Sequence, residues 1–264
     1  MTSTVSGQRD AATTGDRLAA TLAGWWRLVH LGAQLLALAL SPSSYARRHH
    51  TALARHIYLD TAPNLAWFTV LSALISIVLI RIVVVTALSY GLSQFAVQMV
   101  VRVLVLELIP TTAALFVALR CTIPRGAELA EMRAGVRPMA PGADPLRDEV
   151  LPRVVGGMFA VWTLVAVSCV VALIAGYLVV FGFAVGGFAT YTRTVGQVFT
   201  PDVTMIFVLK TLFLSVAVAV IPMAWAWGGP RTFRSPTGRE LQVLVRLFVV
   251  ILLIEVGSLI GNYY

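Results

Sequence analysis

Five runs of almost unbroken apolar residues dominate the chain: Asn64–Leu88, Phe95–Leu119, Val154–Phe181, Thr204–Trp227 and Leu241–Gly261. Each approaches or exceeds the ~20 residues a helix needs to cross a bilayer. Backbone groups in hydrocarbon must be satisfied within their own segment, so such runs fold as helices. The charged fraction, 12% against 58% hydrophobic, is too low for a soluble domain of this length. The expected fold class is an all-α integral membrane protein. It has about five transmembrane helices, an amino-terminal interfacial amphipathic helix and a short cytoplasmic helix.

Charge placement gives the expected orientation. Arg9, Arg17, Arg27, Arg47, Arg48 and Arg55 precede the first span, six arginines lie between 120 and 153, and Arg231, Arg234 and Arg239 separate spans four and five. In the other connections the only basic residue is Arg193. The excess of basic residues in cytoplasmic loops puts the amino terminus and the 120–153 segment inside and the carboxy terminus outside. The net charge of +8 then faces an anionic leaflet and needs no nucleic acid.

Residues 1–15 are polar and small, and disorder is expected. Asp16 can cap a helix reaching about residue 40. Arg27, His30 and Gln34 share one face of it, and Trp25 and Trp26 suit headgroup depth. A sixth span is the alternative, but it would put Arg27 and His30 at mid-depth. A cleaved leader fits less well, because acids precede the apolar stretch and basic residues interrupt it. His49, His50 and His56 lack carboxylate or cysteine partners in a ligand spacing, so a basic headgroup patch is expected and no metal. Cys121 and Cys169 read as packing residues.

Ionisable side chains inside the spans are costly and normally face a cavity or one another. At about 1.5 Å per residue, Arg81, Arg102, Lys210 and Glu255 lie on the order of 10 Å below the outer boundary. Glu107 lies deeper. Two readings stand side by side: a polar-edged lipid cavity formed by Glu107, Lys210, Glu255, Arg102, Arg81 and Pro110, or arginines that snorkel outward beside a Lys210–Glu255 pair. Arg246, near the inner face, can snorkel there. Pro110 and Pro222 should kink their helices, and the kink beside Glu107 frees a backbone carbonyl. Gly156, Gly157 and Gly176 suit close helix packing. The stretch 181–203 can hold a short interfacial turn and an outside partner.

The segment from Glu107 to Arg153 carries a recognisable pattern. It contains Glu107-Leu108, Pro110, Ala114-Leu115, Ala118 and Arg120, then Ala127-Glu128 and Met132. Asp144-Pro145-Leu146-Arg147, Val150, Pro152 and Arg153 complete it. This resembles the MlaE (YrbE) permeases, the membrane subunits of MCE-type ABC lipid transporters, over about residues 45–264. Leu106 stands where that family usually has Arg, Val136-Arg137 replaces Glu-Gln, and the stretch up to Asp144 is a few residues short.

The resemblance implies one permease domain over 16–264 and a homodimer in the bacterial inner membrane. It also implies a lipid substrate, a separate ABC ATPase, an MCE-domain periplasmic protein and, in some systems, a STAS-domain protein. An ATPase-coupling role falls on Glu128, Met132, Arg133, Asp144, Pro145, Leu146, Arg147 and Arg153, with a short helix at 127–134. Glu107 and the Lys210-Thr211 pair match the family's intramembrane residues, and Glu255 stands at its usual Asp.

No phosphate-binding GxxxxGK[ST] loop occurs, and Lys210 is the only lysine. ATP is therefore expected on a partner chain, with no cofactor on this one. No HExxH, GxSxG or Asp-rich metal motif is present either. A membrane enzyme acting on lipids, with Glu107 or Glu255 as acid/base, is the alternative; a scaffold without transport is a third.

Overall fold

The computed structural model describes residues 24–26, 29–38, 50–92, 95–136, 145–228 and 236–263, and these are helical apart from short turns. Among the described residues, five helices are long and apolar enough to cross a membrane. We label them α1 (His50–Ser89), α2 (Ala96–Arg133), α3 (Leu146–Phe181), α5 (Pro201–Gly228) and α6 (Pro236–Tyr263), with the short α4 (Phe188–Val198) between α3 and α5. The expectations for residues 1–15, Asp16, the patch at 46–49, the stretch 137–143, Asp144, Arg231 and Arg234 lie outside the described residues.

Helices α2 and α5 form the inside of the bundle, with 56% and 50% of their most apolar stretch buried, against 17% for α6. Helix α1 runs along α3, α3 along α5, and α5 along α6. Trp67, Leu74, Val78 and Ile82 of α1 and Leu252, Leu253 and Val256 of α6 are exposed, as lipid- or protein-facing helices require. The inner contacts are made by small residues, because lipid tails supply no hydrophobic force between helices. A methyl on Gly157 would stand 2.9 Å from Thr122 and 3.4 Å from Ala219, so α3 touches α2 and α5 at one point. A methyl on Gly126 would stand 3.1 Å from the Pro222 carbonyl, bringing α2 backbone against α5.

Glycine closes the carboxy-terminal ends of α1 and α2. After α1, Gly91 takes φ 70°, with Leu92 N–H donating to Ala87 and Gly91 N–H to Leu88. After α2, Gly135 takes φ 78°, with Val136 bonding Glu131 and Gly135 bonding Met132. Both are Schellman caps, which need the left-handed residue that glycine supplies without strain.

The expected coupling helix at 127–134 starts earlier and is not detached. Residues 127–133 belong to Ile123–Arg133, which continues α2 without a break, and Ala134 is its cap. Helix α2 stays continuous through two π-helical stretches, Val101–Leu108 and Ala118–Thr122; α3 begins with a third, Leu146–Val150. Each ends next to an apolar–proline pair: Ile109-Pro110, Ile123-Pro124 and Leu151-Pro152. Proline has no N–H for the carbonyl four residues back, and its ring crowds that carbonyl. Winding one residue wider just before the ring relieves the clash, so the helix is rewound at each of these prolines.

Helical residues 29–38 pack on α5: a methyl on Gly32 would stand 3.1 Å from Val220, and Leu31 fills the space beside Gly228. Trp25 lies over the guanidinium of Arg246, 5.6 Å from ring centroid to Cζ, and Trp225 covers the same group at 3.9 Å. Arg246 is thus held between two aromatic faces, a cation–π arrangement, where snorkelling was expected.

Candidate functional site

Three helices bring their charges together inside the bundle. Helix α2 supplies Glu107 from its first π-helical stretch, α5 supplies Lys210, and α6 supplies Glu255. The Lys210 side chain is 1% exposed and those of Glu107 and Glu255 are 17% exposed. Lys210 Nζ pairs with Glu107 and lies 2.6 Å from Glu255 Oε2. Its third proton points to the backbone carbonyl of Leu106 at 3.4 Å. An ammonium has three donors, and all three are used.

The third contact follows from the proline. Leu106 lies four residues before Pro110, so its carbonyl lacks the usual helical donor, and Lys210 supplies one. Thr111 extends the group. Its hydroxyl reaches the Glu107 carbonyl at 2.9 Å and also the Glu255 carboxylate, and its single proton serves one at a time. Two carboxylates therefore share one ammonium in a low-dielectric setting, and the hydroxyl serves either the Glu255 carboxylate or the Glu107 backbone carbonyl. Such a cluster is stable only while fully paired.

An apolar groove of about 240 Å³ lies between α1 and α2 beside this cluster. Phe68, Ile75, Leu79, Leu104, Leu108 and Phe116 line it, with Ser72, Ser76 and Thr112 as the polar edge. Leu108 and Thr112 each follow Glu107 and Thr111 by one residue, so groove and charges occupy adjoining faces of α2. None of Glu107, Lys210, Glu255, Arg102, Arg81 and Pro110 lines the groove itself. Pro110 is buried, whereas Arg81 and Arg102 are exposed and, among the described residues, bond none of the three cluster residues.

At the arginine-rich end, Glu128, Met132 and Arg133 are half-buried on the last turns of α2, and Pro145, Leu146 and Arg147 half-buried at the start of α3. Arg133 lies 5.9 Å from the Trp227 ring centroid. Arg153 is 5% exposed: it faces the bundle, where its Nη1 donates to Glu149 at 2.6 Å. Residues 53–259 match the family model for the permease MlaE. The chain belongs to the MlaE permease family. No curated protein matches it. An MlaE permease is the membrane-embedded subunit of an ABC transporter and works with ABC partners such as an ATPase, so this chain is a multi-pass transport subunit.

One buried charge escaped sequence reasoning. Asp60 of α1 is 1% exposed and pairs with Arg125 of α2. The same guanidinium reaches His56 Nδ1 at 3.3 Å. Asn64 donates to the Asp60 carbonyl at 2.9 Å and lies 3.2 Å from Cys121 Sγ. His56, Asp60 and Asn64 recur every four residues, a single helix face. That spacing was the available signal, but it was hidden because the first span was expected to begin only at Asn64.

Proposed function

We propose that this permease moves lipid between the bacterial inner membrane and a periplasmic MCE-domain protein, as a homodimer driven by a separate ABC ATPase. The observation that supports this best is the buried Glu107–Lys210–Glu255 cluster, set against an apolar groove on the same helix. A polar group and a hydrocarbon channel side by side fit an amphiphile, with headgroup at the charges and tails along the α1–α2 groove. In this reading the arginine-rich end faces the cytoplasm, by the same charge asymmetry as before. The ATPase, with a STAS-domain protein where one is present, grips the ends of α2 and α3 through Glu128, Met132, Arg133, Asp144, Pro145, Leu146 and Arg147. The MCE protein sits on α4 and the turn before it, where Phe183 is 92% exposed. The chain carries no cofactor of its own, and ATP binds the partner.

The test is transfer of a fluorescent phospholipid from proteoliposomes holding the permease with its co-purified ATPase. Glu107→Gln keeps the shape but removes the charge that holds Lys210. It should lower ATP-driven transfer by at least about tenfold, the scale of losing one buried charged contact, while the complex elutes intact. Full transfer by this variant would remove the cluster from the mechanism. Lipid turnover by the purified permease alone would favour an enzyme instead.

A further inference from the structure

The second buried charge group joins three helices at the arginine-rich end. Asp60 belongs to α1, its partner Arg125 to α2, and α3 presses Gly156 against the carboxylate. A methyl on Gly156 would stand 2.7 Å from Asp60 Oδ2 and 3.2 Å from the His56 backbone, so nothing larger than hydrogen fits. The carboxylate is used on one side only. Oδ2 takes Arg125, while the buried Oδ1 accepts no hydrogen bond from the protein.

A complementary donor lies close by. Arg153 stands on α3 three residues before Gly156, and its buried Nε makes no hydrogen bond to the protein. Its charge already acts on both Asp60 and His56. Its Nη1 is held by Glu149 on the preceding turn. Arg125 and Arg153 bracket the segment between α2 and α3. One of them holds Asp60 in this structure, and the other stands on α3 one turn from the glycine that touches it.

We propose that Asp60 is a coupling latch that exchanges Arg125 for Arg153 as the segment between them is worked by the ATPase. This rests on the reading of the chain as an ATPase-driven permease and deepens it. Both states keep one buried ion pair, so they can differ little in free energy, as a two-state element requires. A shift of α3 against α2 accomplishes the exchange, and the π-helical turn at Ala118–Thr122 beside Arg125 gives α2 the slack to follow. Asp60, Arg125 and Arg153 are positioning residues, since they touch no substrate.

Cys121 reports on the junction. It is 4% exposed, and its thiol lies 3.7 Å from the Asp60 carbonyl. In the assembled complex with Cys169→Ala, maleimide labelling of Cys121 should differ by about fivefold or more between nucleotide-free and ATP-analogue states, the lower range of allosteric coupling. Arg153→Gln should abolish that difference, and Arg153→Lys should restore part of it. Asp60→Asn should keep ATP hydrolysis while lipid moved per ATP falls by about tenfold, within the same range. If Asp60→Asn fails to assemble, the Arg153 pair of variants carries the test. Equal labelling in both nucleotide states, or a nucleotide response in Arg153→Gln like the parent's, overturns the latch. A parent complex whose labelling responds to nucleotide but which moves no lipid supports the latch and sinks the lipid reading alone.

Discussion

The two buried charge groups sit near opposite ends of α2 and are built alike, yet they are balanced in opposite directions. Glu107 lies in one π-helical stretch and Arg125 just after the other, each close to an isoleucine–proline step. At Glu107 two acids share one lysine. At Arg125 one acid is bonded by one arginine, and the charge of a second, Arg153, also acts on it. The first group has a spare acceptor and the second a spare donor. Helix α2 is therefore a jointed rod tied at both ends by charge, and what differs is whether a substitute partner is at hand.

Removing the cation from each group tests that difference, and the largest effect is expected here. Lys210→Met leaves two carboxylates buried together, and among the described residues no second cation bonds them. Breaking a buried pair in this way costs about 3–5 kcal/mol. Arg125→Met should cost clearly less, because Arg153 can take over Asp60. Thermal unfolding of the two purified variants compares them directly. Adding Glu107→Gln and Glu255→Gln to Lys210→Met should recover most of its loss, since the stranded charges are gone. Equal losses for the two single variants would break the comparison.

The same contrast explains what could be read from the sequence. Glu107, Lys210 and Glu255 stand out because a charge amid twenty apolar residues has few reasons to exist. The structure brings those three together. Asp60 is as deeply buried, but Arg55 and His56 precede it, and in sequence the stretch looks like a headgroup patch. Only the longer α1, starting at His50, carries Asp60 into the bundle. Arg81 and Arg102 had the same charge-at-depth signal as Lys210 but lie exposed. Depth along a helix is legible from residue counting, whereas the face of a helix apolar on all sides is not. The prolines were legible as disturbances, but not as π-helical rewinding, which depends on what the neighbouring helices allow.

A third way of burying a cation sharpens the comparison further. Arg246 is held by Trp225 and Trp25 and by no carboxylate among the described residues. Its Nη1 is buried without a hydrogen-bond partner in the protein. A guanidinium between aromatic faces gains about 0.5–2 kcal/mol. Arg246→Met keeps the length and apolar contact but loses that gain, so destabilisation should stay below that of either ion-pair variant. The visible result should be loosening of the amino-terminal helix from α5 and α6, read as faster proteolysis before residue 40. Protection unchanged from the parent would mean that Leu31 and Gly32 hold that helix without Arg246.

The smallest effect is expected where the fastening carries no net charge. Helix α4 is tied to α3 by the Tyr191 hydroxyl, which donates to the Leu173 carbonyl at 2.7 Å, and by ring contacts with Tyr177 and Phe181. Tyr191→Phe keeps the rings and removes one hydrogen bond, a loss of about 1 kcal/mol. Burial pushes the Tyr191 phenol up from 10 to about 12. The folded chain therefore holds this proton more tightly than the unfolded chain, and the associated stability is complete below pH 10. As pH rises from 10 to about 12 the unfolded state alone has lost the proton, so stability falls across that window. Tyr191→Phe should remove this alkaline loss while barely moving the melting temperature at neutral pH. A drop at neutral pH as large as that of Lys210→Met would show that α4 is held by more than rings and one neutral hydrogen bond. The ordering of charged over neutral fastenings would then fail.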